Sequence, residues 1–328
     1  MFGAFAVFYL FLGGAGAGAI AACSLADLLA VKQPFGTAAY TPGPSANPAG
    51  RTLDYGFLAG FAALTVGIVS LLLDLGRIDR ALDLFLSPTF SVMTVGSYAL
   101  TVLAALGAGL ALVRFAYFPE VRRSVVAAVE VVAIAVALVV MLYTGVLLQS
   151  VGGVAFWASP FIPVLFVLSS ASSGIALVFA AAFFVEQDRR SGLMLRRMVL
   201  VDAVIIVLEI ACAAAFVATM GASEHPGVRE SLSILTQGDA ALVWWLGFGV
   251  CGLAVPLVVE AVGMRMRVDS PMLLAGIAVS VLVGAFCLRF GIVEAGVHRE
   301  PVLEPAAVEL ALDPASPEAG SAMDAKLS

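Results

Sequence analysis

The stretch that decides the fold is Tyr9-Leu10-Phe11-Leu12-Gly13-Gly14-Ala15-Gly16-Ala17-Gly18, inside the first long apolar run of the chain. It carries no charge and holds four glycines within six positions. Glycine costs about 1 kcal/mol against alanine in a helix interior, so four together need a physical reason. In a membrane helix that reason is close approach, either of a neighbouring helix or of a flat ligand. The GxxxG spacing of Gly14 and Gly18 favours helix packing, and the stretch alone leaves both explanations open.

The composition of the whole chain is that of a membrane protein. Of its 328 residues 62% are hydrophobic and 12% are charged, and the mean hydropathy is +1.06. Soluble domains contain about 25% charged residues. The apolar runs are long and continuous, whereas the strands of a membrane barrel would alternate over short segments. The sequence therefore predicts an all-α integral membrane protein.

The apolar runs predict eight transmembrane helices, because each run reaches the roughly 20 residues that a span needs. We expect these helices to form two four-helix bundles within a membrane domain of residues 1–296. Residues 297–328 form an acidic tail rich in proline and alanine, which cannot bury enough apolar surface to fold alone. The predicted spans are residues 4–30, 54–74, 91–117, 123–149, 157–185, 198–221, 239–262 and 271–293.

The basic residues predict the orientation of the spans. Of the 17 lysines and arginines, 11 fall in the loops that follow odd-numbered spans or at the span ends beside those loops. Loops with an excess of Lys and Arg face the cytoplasm. Odd-numbered loops are therefore expected inside, with both termini extracytoplasmic.

The cysteines and histidines indicate that the chain holds no redox centre of its own. The four cysteines lie singly in apolar runs without the spacing of an iron–sulfur site. His225 and His298 fall in or beside outer segments, so neither suits an axial haem ligand within a span. We expect no haem, no iron–sulfur cluster and no metal. The net charge of −6 indicates no nucleic-acid partner. Any electrons must travel on a diffusible organic carrier.

Polar and aromatic residues converge on the outer half of the predicted membrane domain. Tyr9, Asp74, Tyr143 with Thr144, and Trp157 all lie at this depth. Tyrosine and tryptophan are common anchors at membrane interfaces, so each aromatic alone is explained that way. Tyr143 and Thr144 differ, because they lie about four residues inside the end of their span.

Carboxylates inside the spans form a second group of candidates. An acidic residue at a helix centre costs roughly 2.5–3.5 kcal/mol on insertion, which makes Glu209 functional by default. Asp202 lies two turns from Glu209 on about the same helix face. With Glu130, these residues predict a proton path from the cytoplasm. Asp27, Glu130 and Glu260 also lie close enough to the inner interface to be solvated or paired with loop arginines.

The ordered set of motifs resembles the NrfD/polysulfide reductase membrane-subunit family. The similarity covers all eight spans with matching spacing. The chain departs from the pattern at Ile78, where the family often has proline, and in having no His or Asn in its first span. The motifs are Tyr9 to Gly14, Asp74-Leu75-Gly76-Arg77, Ser91 to Ser97, Tyr143-Thr144-Gly145, and Trp157 followed by Pro163 to Phe166 and Ser169.

The resemblance implies a membrane-anchor subunit of a respiratory oxidoreductase complex in a prokaryotic cytoplasmic membrane. Such a subunit binds menaquinone or ubiquinone near the outer face and is not catalytic alone. Its partners would be a ferredoxin-like four-cluster iron–sulfur subunit and, through it, a molybdopterin catalytic subunit, and protons could be translocated with the electrons.

The same resemblance implies roles for individual residues around the quinone. Tyr143 would donate to a carbonyl, since a phenol is a neutral donor. Gly13, Gly14 and Gly16 would wall the slot, and Asp74 with Arg77 would order its roof. The implied quinone site comprises Tyr9, Gly13, Gly14, Gly16, Asp74, Arg77, Tyr143, Thr144 and Trp157.

Two other functions stay open at this point. A proton-coupled secondary transporter would also use Glu209 and Asp202, although transporters often show internal repeats that are not evident here. A purely structural anchor would tether an enzyme without touching quinone, and would have no need of a buried Tyr143 or Glu209.

Overall fold

The computed structural model of the protein describes residues 4–30, 39–40, 43–75, 92–116, 120–151, 153–266 and 270–297. Arg77, Ser91 and the acidic tail from residue 298 onward lie outside these ranges, as do the predictions made for them. Residue 297, where the predicted tail starts, is the last residue that the structure describes.

The described chain is almost entirely helical, with eight helices long and apolar enough to cross a membrane. They confirm the all-α membrane prediction. The helices are α1 (Ala4–Ala30), α2 (Pro48–Leu75), α3 (Val92–Phe115), α4 (Arg123–Gln149), α5 (Phe161–Ala182), α6 (Arg189–Gly221), α7 (Pro226–Thr236), a π-helical segment (Val243–Ala254) that continues into α8 (Val255–Met266), and α9 (Pro271–Val297); β1 (Ala39–Tyr40), β2 (Val121–Arg122) and a 3₁₀ turn (Ala155–Ala158) complete the elements.

Helix ends depart from the apolar runs where polar residues find partners. α6 begins at Arg189, nine residues before the predicted span, because Asp188 and Ser191 form a reciprocal capping box. The backbone N–H of Ser191 donates to the Asp188 carboxylate at 2.7 Å and holds the pKa of that carboxyl below its usual value. The segment 222–238, which lies between the predicted spans 198–221 and 239–262, contains α7, which begins with proline at its first position.

Helix α1 lies at the centre of the described fold, in contact with α2, α4, α5 and α9. Its glycines make these contacts close. A Cβ atom on Gly16 would lie 2.6 Å from the carbonyl oxygen of Gly60 in α2. A Cβ on Gly18 would lie 3.3 Å from the Cα of Gly174 in α5. The glycine-rich stretch was explained either by helix packing or by a flat ligand, and these contacts support helix packing.

Contacts between short connecting elements and between helix ends define two ends of the described bundle. β1 pairs with β2 in antiparallel register, joining the connections that follow α1 and α3. The guanidinium of Arg196 donates to the carbonyl of Met264 at 3.2 Å. We call the end of the bundle that carries the β1–β2 pair and the contact between Arg196 and Met264 the arginine-rich end. At the opposite end, the indole N–H of Trp157 donates to the carbonyl of Ile292 at 2.9 Å.

Candidate functional site

Two buried tyrosines meet between α1 and α4, toward the opposite end. The side chains of Tyr9 and Tyr143 lie within reach of each other, and they are 2% and 5% exposed. The Tyr9 hydroxyl nevertheless makes no hydrogen bond of normal geometry with any described residue. A buried hydroxyl without a partner costs free energy, so the site has an unfilled requirement for an acceptor or donor.

The ring of Tyr143 is held in place by a glycine of α3. Any Cβ atom on Gly96 would collide with this ring, so only glycine admits the tyrosine here. Thr144 is fully buried beside it, but its hydroxyl donates to the carbonyl of Met141 in its own helix at 2.7 Å. Gly145 lets α4 approach the backbone of Pro163 at the start of α5, where an added Cβ would lie 2.9 Å from the proline nitrogen. Tyr143 is thus positioned by rigid elements.

The remaining predicted residues of the quinone site have other surroundings. Trp157 is buried against Gly296, and its N–H bonds the carbonyl of Ile292, so it ties the 3₁₀ turn to the end of α9. Asp74 is exposed in the last turn of α2. The structure therefore brings Tyr9 and Tyr143 together, places Trp157 in a separate contact and leaves Asp74 exposed.

The glycines of α1 are covered by protein on the sides that a Cβ would occupy. At Gly14 that atom would lie 3.0 Å from Nη2 of Arg289 and still closer to the hydroxyl of Ser170. At Gly13 it would lie 3.5 Å from the ring of Tyr9. The contacts of Gly14 and Gly16 are packing contacts, and a ligand wall formed by the glycines stays a prediction.

Arg289 is the residue that the sequence pattern did not single out. It counts among the basic residues near the C-terminus, yet its side chain is fully buried among α1, α5 and α9. Its Nε donates to the carbonyl of Leu10 at 3.0 Å, and Nη1 donates to Ser169 Oγ at 3.1 Å and to the carbonyl of Ala285 at 2.8 Å. Nη2 donates to Ser170 Oγ at 2.8 Å. A buried charge is tolerated when its donors are satisfied in this way.

A line of carboxylates continues from Arg289 toward the arginine-rich end. Glu209 lies within hydrogen-bonding reach of Ser169. The positive charge that interacts with the Glu209 carboxyl group is that of Arg289. Asp202 follows two turns along α6 and faces Glu260 of α8. The structure therefore brings Glu209 and Asp202 together as predicted neighbours and adds Glu260 to them.

Glu260 lines a pocket of about 380 Å³ at the arginine-rich end. Its walls come from the start of α6, the end of α8 and the start of α9. Polar lining residues include Gln187, Asp188, Arg189 and Arg196.

Glu130 belongs to a separate cluster of five charges that joins α1, α2, α3 and α4. Arg114 contacts Glu130 at 3.0 Å and Asp54 at 3.1 Å, while Arg123 contacts Asp27 at 3.0 Å and Glu130 at 3.2 Å. Both carboxylate oxygens of Glu130 are thus bonded to arginine. This confirms pairing with arginines for Asp27 and Glu130, and it separates Glu130 from Asp202 and Glu209. Its predicted role in a proton path stays a prediction.

Comparison with known proteins agrees with this architecture. The family model described as "Polysulphide reductase, NrfD" matches residues 1–299. The chain belongs to this family. The C subunit of polysulfide reductase from Wolinella succinogenes is 26% identical over 321 residues, covering 88% of this chain and 92% of that protein.

Two NrfD proteins match over shorter regions. The NrfD homolog of Haemophilus influenzae is 27% identical over 183 residues, 54% of each chain. NrfD of Escherichia coli is 29% identical over 167 residues, 51% of this chain and 52% of its own length. The chain therefore spans about half the length of these two relatives. Membership of the NrfD family and the eight apolar helices make this chain a multi-pass membrane protein.

Sequence reasoning misses residues in this NrfD-family chain whose partners lie on distant helices. Arg289 donates to backbone carbonyls and serines. Because these partners are uncharged, no pairing of opposite charges in the sequence points to them. The apolar runs place Asp54 at the first residue of a span, yet its carboxylate is buried against Arg114. An arginine inside a long apolar run is a signal that could have found Arg289.

Proposed function

We propose that this protein is the membrane-anchor subunit of an oxidoreductase complex and binds a quinone or quinol beside Tyr9 and Tyr143. The observation that supports it most is the buried Tyr9 hydroxyl, which faces Tyr143 and has no partner of normal geometry in the described chain. A quinone carbonyl is an acceptor that would satisfy a phenol donor. Menaquinone and ubiquinone fit equally well.

A groove elsewhere on α1 suits the tail of an apolar carrier. An apolar groove of about 330 Å³ runs along another face of α1, past Phe11, Leu12 and Ala15. The groove offers an isoprenoid tail a place against α1. In the described ranges no group of three or more His, Cys, Asp or Glu could hold a metal. The electrons would pass to an iron–sulfur partner subunit docked on the opposite end, and beyond it to a molybdopterin subunit.

The orientation proposed for this complex follows from the distribution of arginine. The arginine-rich end would lie in the cytoplasm and the tyrosine pair near the outer face. Protons that move with the electrons would reach the site through Asp202 and Glu209. The Wolinella relative is, by its name, one of several subunits of a reductase, which supports partner subunits here.

The test of the quinone site removes one hydroxyl at a time. In the complex with its native partner subunits, Tyr143→Phe and Tyr9→Phe should each raise the KM for quinol about tenfold, the equivalent of about 1.4 kcal/mol of lost hydrogen bonding. Tyr55→Phe is the matched control, since Tyr55 is exposed on α2 and should leave turnover unchanged. Unchanged KM in both test variants would remove the tyrosine pair from the proposal.

A proton-coupled transporter is the second candidate, and the pocket beside Glu260 is the observation that favours it. Solute uptake by the protein alone in proteoliposomes, abolished by Asp202→Asn, would support a transporter. Quinol oxidation that requires the partner subunits, with no such uptake, would support the anchor. A purely structural anchor leaves the unpartnered Tyr9 hydroxyl without a purpose.

A further inference from the structure

Asp202 and Glu260 form a buried pair of carboxyl groups. The two residues are 0% and 1% exposed, and their carboxyl groups lie within hydrogen-bonding reach of each other. Ser172 lies near Asp202. Even so, none of the four carboxyl oxygens receives a hydrogen bond of normal geometry from a donor in the described chain.

The charges around this pair do not neutralise it. On the side away from the pocket, the neighbouring titratable group is a further acid, Glu209, on which the charge of Asp202 acts. On the side of the pocket, the lining charges are Asp188, Arg189 and Arg196. The Arg196 guanidinium already donates to the carbonyl of Met264. The described ion pairs of arginine with Glu130 have no counterpart at Asp202 or Glu260.

Two adjacent carboxylates buried without donors would repel each other strongly in a low dielectric. One proton placed between them removes a charge and satisfies one oxygen of each group. Such a pair titrates as a unit. We propose that Asp202 and Glu260 hold one proton between them and load it from the arginine-rich end through the pocket that Glu260 lines.

The geometry gives the loading a direction. Glu260 is in contact with the pocket, whereas Asp202 is not among its lining residues and lies deeper, toward Glu209. A proton from pocket water binds Glu260 and makes the pair neutral, and a proton then leaves Asp202 toward Glu209. The pair is thereby back at one shared proton and a single negative charge, without passing through two adjacent carboxylates. The shared proton of Asp202 and Glu260 does not depend on the function proposed above. Only the use of that proton in the quinone reaction rests on the proposed function.

The experiment uses dicyclohexylcarbodiimide, which reacts with protonated carboxyl groups in apolar surroundings, on the purified full-length protein without quinone or partner subunits. Peptide mass spectrometry should find Glu260 modified in some molecules and Asp202 in others, with both modified fractions falling as pH rises. Glu130 is the matched control: a carboxylate between two arginines should stay unmodified. The carboxylic-acid stretching band in the infrared spectrum, measured against pH, gives a second readout on the unaltered protein.

The variants Glu260→Gln and Asp202→Asn separate a shared proton from two independent acids. Each new amide can donate to the remaining carboxylate, which then needs no proton. Modification of the remaining partner should therefore fall at least tenfold in both variants. Undiminished modification in either variant would overturn the shared proton, as would the absence of both modification and an infrared acid band in the unaltered protein. Protection by sodium ions at constant pH would overturn it in favour of a cation site.

A turnover measurement distinguishes this inference from the proposed function. In the assembled complex, Glu260→Gln should lower kcat several-fold at an unchanged KM for quinol. If the carboxyl pair is modified in a protein whose Tyr143→Phe and Tyr9→Phe variants both keep the unaltered KM for quinol, the proton pair stands and the quinone site is refuted. Full kcat in Glu260→Gln would show that the reaction does not draw on this proton, and would overturn the loading role.

Discussion

At the scale of single residues, Gly14 and Arg289 depend on each other. The guanidinium crosses from α9 to the carbonyl of Leu10 in α1, and it can do so because Gly14 presents no side chain there. The same contact fixes the turn of α1 that carries Tyr9. The sequence predicts Gly14 as part of a ligand wall, and the contact that the structure shows for it is with a buried cation.

Gly14→Ala is expected to destabilise the protein by about 1–3 kcal/mol, the usual cost of overpacking. The added methyl would press on Arg289 Nη2 and on Ser170, both held by hydrogen bonds. Gly109→Ala is the control, because an added Cβ at this exposed position of α3 meets nothing within 4 Å. Thermal unfolding in detergent should show a lower Tm for the first variant alone. Equal Tm values in the two variants would contradict the assigned contact.

Single residues also show where prediction from sequence ends. The depth of Tyr9, Tyr143 and Glu209 in the membrane was inferred from their positions in apolar runs and stays a prediction. The partners of Arg289 and Glu260 were not predictable, since they are supplied by helices far away in the sequence. No period or spacing encodes which two carboxyl groups will face each other without a donor.

At the scale of the elements, the five-charge cluster ties four helices together at the arginine-rich end. Its three carboxylates and two arginines carry a net charge of −1 in their ordinary states. Tyr40 of β1 places its ring 5.5 Å from the guanidinium carbon of Arg123, so the short β1–β2 pair covers the cluster. The apolar runs predicted the spans but not these ties, and the start of α2 at Pro48 brings Asp54 inside the helix.

Arg114→Gln is expected to destabilise the protein more than Glu130→Gln does. Loss of the arginine leaves the cluster with a net charge of −2, and breaking a buried pair by removing one partner costs roughly 3–5 kcal/mol. Loss of the glutamate charge leaves Arg114 paired with Asp54 and Arg123 paired with Asp27. Thermal unfolding of the two variants in detergent measures the difference. A larger loss of Tm in Glu130→Gln would refute this account of the charge balance.

At the scale of the whole molecule, the two candidate sites lie toward opposite ends of the described helices. The tyrosine pair lies toward one end and the charge-lined pocket at the other, and Glu209 and Arg289 lie between them. Eight spans were predictable because a membrane helix must be long and apolar whatever its partners are. The separation itself was not predictable, because it comes from how those spans pack.

The orientation of the molecule decides which of these ends meets the cytoplasm. The positive-inside rule predicts that residues before α6 lie inside and residues after it outside. Glu186 and Glu224 are exposed on the two sides of this one helix, so Glu186→Cys and Glu224→Cys form a matched pair. In intact cells a membrane-impermeant maleimide should label Glu224→Cys, whereas Glu186→Cys should react only in inverted vesicles. The unaltered protein, with its four native cysteines, gives the background. The reverse pattern would place the tyrosine pair at the cytoplasmic face, and the proton pocket would then draw from outside the cell.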